Sequence, residues 1–233
     1  MKTYHILNGD CLAAKFPSEL DGEIIIWREC LIDGPLQSED FFESREIFIN
    51  QNFPDSDANY YEKVIQEFQK ILEIPDESLV YFWFEHDVFC QVNFCFLLSK
   101  LNKNTKKHIV FPAENTKNKW RGFATDSDVA LRNNFSNARI ISDDDLALSE
   151  QLWLAFSENN TVKMEELSFS KSIVFPYLKE ICNAILQLWN GNFDAELQKI
   201  WQGNQNFEET FAKVQKNYGI YGFGDSQIKT RLK

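Results

Sequence analysis

The chain has 233 residues, 44% of them hydrophobic and 25% charged, with a net charge of −11, which is the balance of an ordinary globular protein. No apolar run reaches the length of a membrane span; the longest candidate, 88–98, is too short and contains Gln91 and Asn93. Residues 151–233 hold 9 Lys and Arg against 9 Asp and Glu, so the whole of the −11 lies in residues 1–150, and so acidic an N-terminal half argues against a general nucleic-acid surface there.

In chain order, Tyr4-His5-Ile6-Leu7 reads as a short strand ended by the turn Asn8-Gly9-Asp10. A helix is expected over 12–20, broken or bent by Pro17. Glu23-Ile24-Ile25-Ile26-Trp27 is a short apolar run of the kind buried on both faces of a parallel sheet. Gly34-Pro35 marks a loop, Ser38 is placed to cap a helix over 39–52, and Asp57 to cap another from Ala58 to Ile74. In the latter Tyr61, Val64, Ile65, Phe68, Ile71 and Leu72 recur at helical spacing on one face.

A third strand is expected over 79–84, a helix over 87–101, a fourth strand over 107–111 and a fifth at Arg139-Ile140-Ile141. A helix opened by Asp143-Asp144-Asp145 then runs through Phe156. From Pro176 onward the pattern is helical, over 177–189, 193–201 and 207–218. The order predicts an α/β chain: a Rossmann-like open, mainly parallel sheet with flanking helices over 1–157, then a helical C-terminal region over 158–233. The polar stretch Ser157–Asn160 is the expected boundary.

In such a sheet ligands bind beyond the carboxyl ends of the strands. Three polar groups fall there: Asn8-Gly9-Asp10 after the first strand, Arg28-Glu29 after the second and Glu85-His86-Asp87 after the third. Gly9 lets backbone approach a phosphate, or simply forms a turn in which Asp10 caps a helix. Arg28 has the geometry to clamp a carboxylate or phosphate, or to pair with Glu29, Asp10 or Glu85. Glu85, His86 and Asp10 are the acid–base candidates; Asn8, Gly9, Arg28, Glu29, Asp87 and Gln91, one helical turn beyond Asp87, are the ligand-binding ones.

A divalent metal on Asp10, His86 and Asp87 is an alternative, but no strong ligand spacing supports it and no metal is assigned. No particular cofactor is indicated. Asp87 also suits a helix N-cap, and the polar groups together suit a ligand-free ion-pair network. His5 and His108 read as sheet residues, Cys90 as a buried thiol, and the basic run 117–122 as a solvated loop or one that closes on an anion. Five cysteines without paired spacing, and no signal peptide at the N-terminus, suggest reduced thiols in a cytoplasmic protein.

His5-x-x-Asn8-Gly9-Asp10, Trp27-Arg28-Glu29 with Gly34-Pro35, and Trp83-Phe84-Glu85-His86-Asp87-x-Phe89-Cys90-Gln91 together resemble a bacterial family, domain of unknown function eighteen-thirty-five. Phe175-Pro176-Tyr177-Leu178 and Tyr221-Gly222-Phe223-Gly224-Asp225 resemble its C-terminal part. The resemblance implies that these separated motifs belong together; it implies no activity. The residues point to a small anionic ligand, a nucleotide or phosphorylated metabolite, with hydrolase or transferase chemistry as the enzymatic form of that reading. The alternative is a non-enzymatic regulatory or adaptor protein whose C-terminal helices contact a protein or DNA. Its basic tail, 229–233, offers the charge, while Tyr218–Gly224 reads as a packed aromatic turn.

Overall fold

A computed structural model describes residues 1–53, 59–113, 118–203 and 206–233. Five strands form one sheet in the order β2-β1-β3-β4-β5: β1 Thr3–Asn8, β2 Glu23–Trp27, β3 Leu79–Trp83, β4 Lys106–Val110 and β5 Arg139–Ile140. The first four are parallel; β5 is a two-residue antiparallel edge, His108 facing Ile140. This is the Rossmann-like α/β architecture that the alternation of apolar runs predicts.

Both faces of the sheet are covered, which is why its strands are almost continuously apolar. Tyr4 and Ile6 of β1 and Val80 and Phe82 of β3 join the larger core, while Leu7 and Trp83 turn to a smaller one with Leu12, Val110, Phe123 and Leu131. The larger core lies under α2 (Phe41–Asn52), α3 (Gln66–Leu72), α4 (Val88–Lys100) and α6 (Asp143–Ser157), and the smaller one under α1 (Asp10–Ala13) and α5 (Asp128–Ser136). At the outer edge of β2, Ile26 N–H donates to Glu67 Oε2 (2.8 Å), which satisfies a donor that an open edge would expose.

In the C-terminal region α7 (Thr161–Leu167) packs on α6 and α8 (Leu178–Trp189) on α4 and α7, while α9 (Asn192–Gln202) packs on α8, α10 (Phe207–Tyr218) on α9 and α11 (Asp225–Arg231) on α10. Sandwiched between sheet and helices, α4 is buried nearly throughout, from Val88 to Leu98. Phe94 packs against Phe82 of the sheet (5.4 Å between rings) and against Phe175 before α8 (5.8 Å), so one core runs from the strands into the C-terminal region. Phe193, Tyr221 and Phe223 form a packed aromatic turn, with Phe193 and Tyr221 rings 4.5 Å apart. Arg231 of α11 pairs with Asp33 after β2 and with Asp194, and Gln227 donates to Asp33 (2.9 Å).

Several elements differ from expectation. α1 has only four residues and the chain leaves it well before Pro17. α2 starts after Asp40, not at Ser38, whose hydroxyl instead meets that of Ser44 at 2.7 Å. The expected start of the next helix, Asp57-Ala58, lies outside the described residues; the described part opens with a π-helical turn, Tyr61–Ile65, before α3. Helices α5, α7 and α11 have no counterpart among the expected elements, being short and, for α5, carrying only two buried residues.

Because the core is continuous, Phe94→Ala should cost about 3–5 kcal/mol and lower one cooperative transition. Separate melting of the sheet and the C-terminal helices, followed by near- and far-UV circular dichroism, would contradict this packing.

Candidate functional site at the strand ends

The sheet order sets the site. From β1 the chain moves outward to β2, then crosses back to β3 on the other side, so it parts at the carboxyl ends of β1 and β3, where such sheets hold their ligands. Asn8 lies opposite Trp27 and Leu7 opposite Trp83, which brings all three predicted groups to one edge.

Gly9 has φ +94°, a value that side chains avoid, and its N–H donates to Trp27 O (2.9 Å); it ties β1 to β2 and does not offer that N–H to a ligand. Asp10 makes no capping bond and instead holds Arg28, whose Nε lies 2.9 and 3.0 Å from its two carboxylate oxygens. Asp10 is largely exposed, so this pair contributes little to stability.

Glu29 faces inward. Arg45 grips both its oxygens (3.0 and 2.6 Å), Tyr60 donates its hydroxyl (2.6 Å) and Cys30 its N–H (2.5 Å). Both charged side chains are wholly buried. Burial, and then the charge of Glu29, push the Tyr60 hydroxyl far above its ordinary value, so it stays a donor. Asn93, a buried amide within α4, links the strand ends: it donates to Asn8 Oδ1 (3.1 Å) and Glu29 O (2.8 Å). Asn8 in turn donates to Cys90 Sγ (3.0 Å).

Glu85 and Asp87 form the centre. Their carboxylate oxygens and Cys90 Sγ lie within 4.8 Å of one another, and neither acid has an ion-pair partner among the described residues. Asp87 caps α4, accepting from Cys90 N–H (2.9 Å). Glu85 Oε1 accepts from Phe123 N–H (2.7 Å), and its carbonyl from Gln91 Nε2 (2.6 Å). Burial foremost, then the charge of Asp87, raise Glu85 to about 7. Burial raises Asp87 as well. Two adjacent carboxyls in such a place disfavour double ionisation, so each raises the proton affinity of the pair. Burial, then the charges of Asp87 and Glu85, push the Cys90 thiol well above its ordinary range, which removes it as a thiolate nucleophile.

Two glycines close over this pair. A Cβ at Gly122 would lie 1.8 Å from Glu85 Oε1, and one at Gly222 (φ +69°) 2.0 Å from Asp87 Oδ1. The first belongs to a roof loop whose Phe123 is buried in the smaller core and whose Phe123 and Asp126 carbonyls are held by Lys15. The second belongs to the C-terminal aromatic turn.

His86 does not join the acids. Its ring stacks on Phe111 (4.2 Å) with Tyr177 edge-on (4.9 Å), and burial, then the charge of Arg139, lower it to about 4, leaving it neutral. With Asp10 on Arg28 and His86 between aromatic rings, the metal set Asp10, His86 and Asp87 is not assembled; Glu85, Asp87 and Cys90 are the described residues with metal-ligand spacing. His86 and Gln91 border an apolar cavity of about 30 Å³ between α4, α6 and α8. In the basic run, Lys119 pairs with Glu180 (2.9 Å) over the Trp120 and Tyr177 rings, and Arg121 binds Thr125; Lys117 lies outside the described residues.

Sequence reasoning missed Arg45, Tyr60, Gly122 and Gly222 as neighbours of the site. Asn93 had a signal, a lone short amide in an apolar helix, but nothing in the sequence says which strand ends it joins.

Arg45→Met should destabilise by about 3–5 kcal/mol in chemical denaturation, because it leaves Glu29 charged, buried and unpaired, and Glu29→Leu added to it should restore most of the loss; a single variant within about 1 kcal/mol of the parent would refute this.

Glu85 sets a pH dependence. Its folded value lies above the ordinary 4.5, so its stabilisation is complete below about pH 4.5 and is lost as pH rises to about 7. Glu85→Gln should therefore be more stable than the parent at pH 8 by on the order of 1–3 kcal/mol, with the gap closing toward pH 4.5. A pH-independent gap would show that Glu85 titrates normally.

Searches of family models, of curated proteins and of solved structures found no match to this chain.

Proposed function

We propose that the protein binds a small anionic ligand, a nucleotide or phosphorylated metabolite, at the carboxyl ends of β1, β2 and β3, and that Glu85 acts there as general acid or base in hydrolase or transferase chemistry. One observation carries the reading: two adjacent carboxyls, half-buried Glu85 and buried Asp87, have no cation beside them among the described residues at the parting of the sheet. Such a pair weakens a fold that could be built with neutral side chains there, and a carboxyl that changes its protonation near neutrality suits proton transfer.

Arg28 is the anion clamp. Its pair with Asp10 is exposed, so a phosphate oxygen can replace the Asp10 carboxylate on the same two donors, Nε and Nη2. Asp10 then holds the guanidinium ready when no ligand is present. Asn8, with its amide between Cys90 and Asn93, positions the turn that carries Asp10. On its motifs alone, the chain fits the bacterial family of unknown function eighteen-thirty-five. The adaptor reading has less support, since Lys229 pairs with Asp225 and Arg231 with Asp33 and Asp194.

Calorimetric titration with nucleotides and phosphosugars tests this. Arg28→Ala should weaken a bound ligand by at least about tenfold without loss of helical signal, and Glu85→Gln should abolish turnover of that ligand while leaving its affinity within about threefold. Unchanged binding in Arg28→Ala, or unchanged turnover in Glu85→Gln, would remove the assignment.

A further inference from the structure

Gly222 brings the C-terminal region onto the acid pair. It follows a short 3-10 turn, Gly219–Tyr221, and has φ +69°, in the left-handed region that side chains avoid. A Cβ there would lie 2.0 Å from Asp87 Oδ1, 2.5 Å from its Cγ and 3.0 Å from Phe89 Cβ. Bare backbone at residue 222 is thus the wall against which the Asp87 carboxyl rests. On the other side of the pair Gly122 meets Glu85 in the same way. The two segments also touch each other, since a Cβ at Gly219 would sit 3.5 Å from that of Trp120.

The turn is anchored more firmly than the carboxyl. Tyr221 and Phe223, on either side of Gly222, are buried with their rings 5.5 Å apart, and both pack on Phe193. Phe223 O accepts from Gln215 Nε2 (2.7 Å), and Gly224 N–H donates to Gln227 Oε1 (3.0 Å). The Arg231 guanidinium lies over the Phe223 ring at 4.5 Å. The Asp87 carboxyl sits at the end of a short side chain, held by the Cys90 N–H (2.9 Å) at the start of α4. A group added at residue 222 therefore displaces the carboxyl and leaves the turn in place. Such a move takes Asp87 away from Glu85, and the charge of Asp87 is one of the causes that raise Glu85.

We propose that Gly222 is a positioning residue for the strand-end chemistry: from the C-terminal turn it holds the Asp87 carboxyl beside Glu85. The C-terminal helices are then part of the proton-transfer device, and the acid pair is assembled only when they dock on the sheet domain. The inference rests on the acid–base reading of Glu85.

A ¹³C NMR titration of Glu85 in the full chain without ligand provides the test, with circular dichroism to confirm folding. In the parent Glu85 should titrate near pH 7. Gly222→Ala should lower that midpoint by about one pH unit as Asp87 moves away. Gly191→Ala is the control: Gly191 has φ +73° and nothing within 4 Å of an added Cβ, so this change brings backbone strain alone and should leave the midpoint where it is. In an Asp87→Asn background, where the charge is already gone, Gly222→Ala should shift the midpoint no further. If Gly222→Ala does not fold, Phe223→Leu, which loosens the same turn and admits water, should lower the midpoint in its place. A raised Glu85 that Gly222→Ala or Phe223→Leu leaves unmoved would overturn the positioning role and leave the acid–base reading standing. So would an equal shift in Gly191→Ala, or a further shift in the Asp87→Asn background. An ordinary acidic midpoint for Glu85 in the parent would remove both.

Discussion

Two carboxyl groups set side by side away from water cannot both be ionised unless a cation joins them. Asp87 is buried and Glu85 half-buried beside it, with oxygens in mutual reach and no cationic side chain beside them among the described residues. Burial therefore raises both carboxyls, while Cys90 N–H on Asp87 and Phe123 N–H on Glu85 each favour the ionised form and hold the pair in place. Burial, and then the negative charge of the two acids, keeps Cys90 a thiol. The roof glycine Gly122 and the C-terminal Gly222 are both required by the closeness of those carboxyls to backbone.

The rest of the strand-end edge is held by a different pair whose charges do cancel. Glu29 and Arg45 satisfy each other with Tyr60 and nearby backbone, and Asn93 carries that order across to Asn8 and hence to Cys90. Arg45 also holds the carbonyls of Cys30 and Asp33, and Asp33 receives Arg231 and Gln227 from the last helix. The C-terminal region is thereby fastened to the same loop that leaves β2. Glu29 thus serves the frame, whereas Arg28 holds the exposed Asp10 and Glu85 accepts from the roof at Phe123.

Much of the fold was legible because its signals are local. Runs such as Glu23–Trp27 and Leu79–Trp83 carry their own strand pattern, and Pro75 and Pro112 punctuate them. The strand-end rule then grouped Asn8, Arg28 and Glu85 correctly along one edge. Direction of side chains was not legible. His86 sits between Glu85 and Asp87 in sequence, yet its ring turns away to Phe111 and Tyr177, since successive side chains leaving a strand point to different sides. Partners distant in sequence were equally hidden: Arg45 for Glu29, Phe123 for Glu85 and Gly222 for Asp87 are joined only by tertiary packing. The edge strand β5, two residues long, gives no sequence signal of its antiparallel direction.

The account turns on where the proton of the Glu85–Asp87 pair resides, and carboxyl carbon shifts of the labelled protein report it directly. A ¹³C NMR titration should show Glu85 changing protonation near pH 7, with Asp87 also titrating above its ordinary range. Titration of both carboxyls at ordinary acidic values would contradict the raised proton affinity of the pair and, with it, the acid–base role assigned to Glu85.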